Sequence, residues 1–160
     1  MSKHAQKVQA MIRLANAGTP VQQLTLGAKQ NWEYLYYQAL QAYKYKQYEQ
    51  AEEIFLLLCL SDPSQERYWL GAGLATLKQK RYAEAARTFM KPVNLHDSRN
   101  PWLVLHCAQC LLKLEHYEET TACLDLAADS LPGHPDEAEI SRRLQGLRLS
   151  VEKKRVNRQT

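Results

Sequence analysis

At 160 residues, 45% of them apolar, the chain is long enough to bury a core of its own without disulfide staples. Its longest unbroken apolar run, residues 54–60, falls far short of the roughly 20 residues that span a bilayer, and the N-terminus lacks the continuous apolar stretch of a secretory signal. A cytosolic protein with no membrane span is therefore expected. The formal charge of +4 is uneven: residues 1–30 carry four bases and no acid, residues 31–140 ten bases against 16 acids, and residues 141–160 seven bases against one acid. Such runs read more simply as solvated helix faces than as a nucleic-acid footprint, so nucleic-acid binding is not expected.

Taken in chain order, the first element is a helix within residues 1–19, with Ala5, Val8, Ile12 and Ala15 on one face and Gly18, Thr19 and Pro20 as its stop. A repeat follows. Gln47-Tyr48-Glu49-Gln50-Ala51-Glu52-Glu53-Ile54-Phe55 returns 34 positions later as Arg81-Tyr82-Ala83-Glu84-Ala85-Ala86-Arg87-Thr88-Phe89, and again after 35 positions as His116-Tyr117-Glu118-Glu119-Thr120-Thr121-Ala122-Cys123-Leu124. These units resemble the tetratricopeptide repeat (TPR), a helix-turn-helix of about 34 residues with a large residue at position 4, small ones at 8 and 20 and an aromatic at 24. Counted from Trp32, Glu66 and Pro101, position 4 holds Leu35, Trp69 and Val104, and position 8 holds Ala39, Gly73 and Ala108.

The expected fold is all-α. It comprises three tandem TPR hairpins at about 32–65, 66–100 and 101–134 within a domain at 20–155. Pro92, late in the second hairpin, should bend or end its helix. Leu131-Pro132-Gly133-His134-Pro135 is a loop. Ile140, Leu144, Leu147 and Val151 then mark a capping helix at about 136–155, needed because the last repeat of a stack would otherwise expose its apolar face. A frayed tail at 156–160 is expected.

Reactive chemistry is hard to place on this pattern. Cys59, Cys107, Cys110 and Cys123 lie in apolar segments and read as reduced, buried thiols. The C-x-x-C of His106-Cys107-Ala108-Gln109-Cys110 has no second pair to complete a zinc site, and packing is its simpler reading. No phosphate loop, G-x-S-x-G or H-E-x-x-H occurs. The neighbouring acids Glu52 and Glu53, and Glu118 and Glu119, do not face one another on a helix. No catalytic residue, metal or cofactor is expected.

In a TPR array, positions 2, 5, 9, 12 and 13 of the first helix of each hairpin face the concave surface. These are Glu33, Tyr36, Leu40, Tyr43 and Lys44; then Arg67, Leu70, Leu74, Leu77 and Lys78; then Trp102, Leu105, Gln109, Leu112 and Lys113. Leucine at helical spacing serves a core equally well, and for Leu70, Leu74 and Leu77 both roles stay open. The tyrosines and Trp102 fit a surface with one wet end. An apolar groove with a lysine margin suits an extended hydrophobic peptide. It lacks the basic residue and asparagine that would clamp a heat-shock protein's carboxyl terminus, since Tyr36 and Leu40 stand there.

The stretches Leu35-Tyr36-Tyr37-Gln38-Ala39-Leu40-Gln41-Ala42-Tyr43, Tyr48-Glu49-Gln50-Ala51, Trp69-Leu70-Gly71-Ala72-Gly73, and Pro101 through His106-Cys107-Ala108-Gln109-Cys110-Leu111-Leu112 resemble the class II type III secretion chaperones. That resemblance covers about residues 17–155. It implies a cytosolic holdase that keeps the hydrophobic translocator proteins of a type III secretion system soluble, gripping a P-x-L-x-x-P-like client segment in the concave groove. It places the client pocket on Tyr36, Leu40, Tyr43 and Tyr48, with Leu70, Leu74, Trp102 and Leu105 as its extension; Tyr48 is given by the resemblance alone. A homodimer through the N-terminal helix is also implied. The alternative is a TPR scaffold for a protein assembly, with no holdase role.

Overall fold

The computed structural model describes residues 30–159. The helix expected at 1–19, and the dimerisation assigned to it, lie outside them. The described residues fall into two compact units, one ending at Gln79 and one beginning at Lys80. All regular structure among them is helical.

The first unit holds α1 (Gln30–Lys44), α2 (Tyr48–Ser61) and α3 (Glu66–Lys78). Leu35, Ala39 and Ala42 recur at helical spacing on the buried side of α1, and α2 answers with Ala51, Ile54, Phe55 and Leu58. Ala39 and Ala51 are fully buried, so short side chains sit where the helix backbones come closest. Gly71 does the same on α3: a Cβ there would stand 2.4 Å from the Phe55 ring, and Phe55 is itself 1% exposed. The carboxylate of Glu52, buried on α2, is held by neutral donors, Thr76 Oγ1 at 3.0 Å and Gln79 Nε2 at 2.6 Å. Those bonds fasten the end of α3 to α2.

The second unit holds α4 (Tyr82–His96), α5 (Pro101–Lys113), α6 (Tyr117–Asp129) and α7 (Glu137–Gln159). Asn100 caps α5, its side chain accepting from the Trp102 N–H at 3.0 Å, and Pro101 follows at a position where a missing donor costs nothing. Thr120 takes the place that alanine holds in the other repeats. It is fully buried, and its hydroxyl is satisfied by the His116 carbonyl at 2.6 Å. Phe89, Leu103, Val104, Leu105 and Leu124 fill the interior, and α7 closes it with Ile140, Leu144 and Val151.

Of the two outcomes expected at Pro92, an end to the helix there is not what occurs: α4 runs on to His96, and the Pro92 carbonyl accepts from the N–H groups of Asp97 and Ser98 where the helix closes. At the other end α7 runs to Gln159, with Arg158 paired to Glu115 at 2.5 Å and lying over the Tyr117 ring.

The hairpin turns close without glycine. Lys46 and Glu115 adopt φ values of 62° and 63°. In each turn the next N–H reaches back to the helix, Gln47 to the Ala42 carbonyl at 2.8 Å and His116 to the Leu111 carbonyl at 3.0 Å. This is the Schellman closure, in which a left-handed residue usually is glycine.

Candidate functional site

On α1 of the first unit, Tyr36, Leu40 and Tyr43 follow one another at i, i+4 and i+7 and so share a face. Tyr36 and Tyr43 are half-buried against the core, while Leu40 is 41% exposed. The Tyr43 ring meets that of Tyr48, across the α1–α2 turn, edge-on at 5.4 Å, which places Tyr48 with this group. Burial, with the neighbouring Tyr48 adding to it, pushes the Tyr43 hydroxyl above its ordinary pKa. On α3, Leu70, Leu74 and Leu77 repeat the same spacing and are half-buried, and Lys44 and Lys78 are exposed at the ends of their helices.

The two helices meet through side chains at their N-terminal ends. Arg67 donates from Nη1 to Glu33 Oε2 at 3.3 Å and from Nη2 to Glu33 Oε1. Its guanidinium lies over the rings of Tyr36 and Tyr68, and the hydrogen bond to Glu33 raises its pKa further. Beside Tyr48, a cleft of about 360 Å³ is lined by Lys46, Gln47, Tyr48, Glu49, Gln50 and Gln79.

The second unit treats its expected residues differently. Leu105 is 0% exposed and shares a core cluster with Ile140 and Leu144, while Leu112 is buried at 9%. Both were expected on a concave surface; in the structure they support the unit from inside. Trp102 is half-buried. Its indole N–H donates to Asp136 Oδ2 at 2.9 Å, and Arg143 lies over its ring at 5.1 Å. Gln109 is occupied with His106, Oε1 to Nδ1 at 2.8 Å, and Lys113 is exposed.

His106 is stacked between Phe89 and Trp102, and burial lowers its pKa. Cys107 and Cys110 are buried, with the Cys110 thiol pushed up to about 12 by desolvation, so they pack as small apolar groups. Among the described residues no cluster of His, Cys, Asp and Glu is arranged to hold a metal ion.

The sequence reading named Glu33 and Arg67 as surface positions without pairing them. The signal was present: both are position 2 of their repeats and they carry opposite charges. The chemistry available to this set is binding. Aromatic and aliphatic side chains stand half-exposed, with cations at the margin.

No family model matches the chain. Over 146 residues it is 26% identical to the low calcium response locus protein H of Yersinia pseudotuberculosis, covering 91% of this chain and 86% of that protein. The Yersinia enterocolitica type III secretion chaperone SycD, solved in complex with a peptide of the translocator YopD, matches with a TM-score of 0.73 at 26% identity, over 80% of this chain and 97% of SycD. A further SycD structure, an alternative dimer, gives 0.74 at the same identity, over 80% and 96%. PcrH from Pseudomonas aeruginosa, at 21% identity, shares the fold with a TM-score of 0.73 over 79% of this chain and 95% of PcrH. By sequence along nearly its whole length, and by fold, the chain is similar to the translocator chaperones of type III secretion.

Proposed function

We propose that this protein is a cytosolic chaperone that binds the hydrophobic translocator proteins of a type III secretion system and keeps them soluble until export. It works by binding and performs no chemistry on its client. The observation that carries the reading is the paired apolar faces of the first unit. Tyr36, Leu40 and Tyr43 on α1 and Leu70, Leu74 and Leu77 on α3 are left half-buried or exposed in the free chain. An extended segment of P-x-L-x-x-P type would bury them, its leucine among the aromatic rings and its backbone carbonyls toward Lys44 and Lys78. That SycD, to which the chain is similar, binds a peptide of the translocator YopD supports a client of that class. Among the described residues no helix is long and apolar enough to cross a membrane. Trp102, Gln109 and Lys113 are the proposed client contacts of the second unit, and residues 1–19 are the proposed route to a homodimer.

Co-expression with each candidate translocator, followed by size-exclusion chromatography, tests this reading. A translocator that precipitates alone should co-elute with the chaperone. Translocators that stay insoluble, or soluble ones that elute separately, would favour the scaffold alternative.

A further inference from the structure

Tyr36 is enclosed by three groups. Its ring meets Phe55 edge-on at 6.0 Å and 68°, and Tyr68 at 5.7 Å, while the Arg67 guanidinium lies 4.6 Å from its centroid. The same guanidinium stands 5.1 Å from the Tyr68 ring and is forked onto Glu33. Its Nε–H is buried and finds no acceptor among the described residues. An arginine gripped at its outer edge by a carboxylate and across its face by two rings has little rotational freedom left, and the ring beneath it is correspondingly fixed. The ion pair cannot supply this by charge alone, because both side chains are substantially exposed, at 40% and 60%.

The second unit repeats the construction with different residues. Arg143 lies 5.1 Å over Trp102 and donates from Nε to Glu139 at 2.7 Å. In each unit, then, a half-buried aromatic of the candidate binding set is covered by an arginine that an acid holds in place.

We propose that Arg67 is a positioning residue of the client-binding face: it holds the Tyr36 ring in one plane, ready to stack on an extended apolar segment. Binding then does not require the ring to be ordered. The proposal rests on the client-binding reading above. It requires the planar guanidinium, since a lysine ammonium neither stacks on two rings nor bridges both oxygens of Glu33.

The test uses the full chain and a synthetic fluorescein-labelled peptide carrying P-x-L-x-x-P, read by anisotropy, with Arg67→Ala, Arg67→Lys and Tyr36→Leu variants. Arg67→Ala should weaken the peptide roughly tenfold while melting within a few degrees of wild type, and Arg67→Lys should not restore affinity. In the ¹⁵N–¹H spectrum of the free wild type, the Arg67 Nε–H should appear shifted upfield by the rings and slow to exchange, and Tyr36→Leu should move it. Unchanged or tighter binding by Arg67→Ala, or full rescue by lysine, overturns the proposal. Should the peptide not bind wild type, the client reading fails, and the Nε–H signal decides the clasp: a resonance at the position of free arginine overturns it.

Discussion

His106 couples packing to protonation. Its ring lies 5.3 Å from Phe89 and 5.9 Å from Trp102, its Nδ1 is 2.8 Å from Gln109 Oε1, and the Arg143 charge adds to the burial that lowers its pKa from 6.5. The folded chain therefore holds fewer protons at this site than the unfolded chain, so stability falls as pH drops below the unfolded value of 6.5 and levels off beneath the folded value. Glu139 lies in a different window. Its hydrogen bond from Arg143 lowers a carboxylate pKa from 4.5, and the stability linked to it is lost only as pH falls below that value. Thermal melting from pH 7.5 to 5 should show a decline in wild type that His106→Gln flattens; equal slopes in both proteins would refute the assignment. This coupling was not legible in the sequence, where His106 stood only as a neighbour of the C-x-x-C. Its two ring partners come from α4 and from four residues earlier on α5, and no local pattern announces that stack.

At the level of elements, the repeat was legible because each hairpin must meet its neighbours through the same few positions. Ala51, Ala85 and Thr120 are all fully buried, as are or nearly are Phe55, Phe89 and Leu124, at the register that the recurrence of Tyr48, Tyr82 and Tyr117 set. Periodicity names a face but not what covers it. Leu105 has the same helical spacing as Tyr36, yet it lies in a cluster with Ile140 and Leu144 of α7 and is lost to the surface. The turns were hidden for another reason: Lys46 and Glu115 occupy left-handed positions without the glycine that would mark them. A side chain there costs about 1 kcal/mol in backbone strain, offset in part by the greater freedom of an unfolded glycine. Lys46→Gly and Glu115→Gly should each therefore raise stability by up to about 1 kcal/mol, measured by urea unfolding. A loss of stability in both would mean that the charged side chains are themselves needed in the turn.

For the molecule as a whole, the residues of the folding core and the proposed client contacts are neighbours but different. Phe55 and Phe89 are 1% and 0% exposed, and truncating either removes core contacts, at a cost of about 3–5 kcal/mol. Tyr36 and Tyr43 are partly wet in the free chain, so their larger contribution should come when a client covers them. Leu40, exposed between them, completes a surface with no evident use in folding the first unit. The central claim is that this face holds the client. Its most direct test is calorimetric titration of a translocator-derived P-x-L-x-x-P peptide into wild type, Tyr36→Ala/Tyr43→Ala and Phe55→Ala/Phe89→Ala, with thermal melts of all three. The account predicts that the tyrosine pair stays folded and loses on the order of a thousandfold in affinity, at about 2 kcal/mol per aromatic, while the phenylalanine pair melts far earlier. A tyrosine double variant that binds the peptide as wild type does, or that unfolds as readily as the phenylalanine pair, would contradict it.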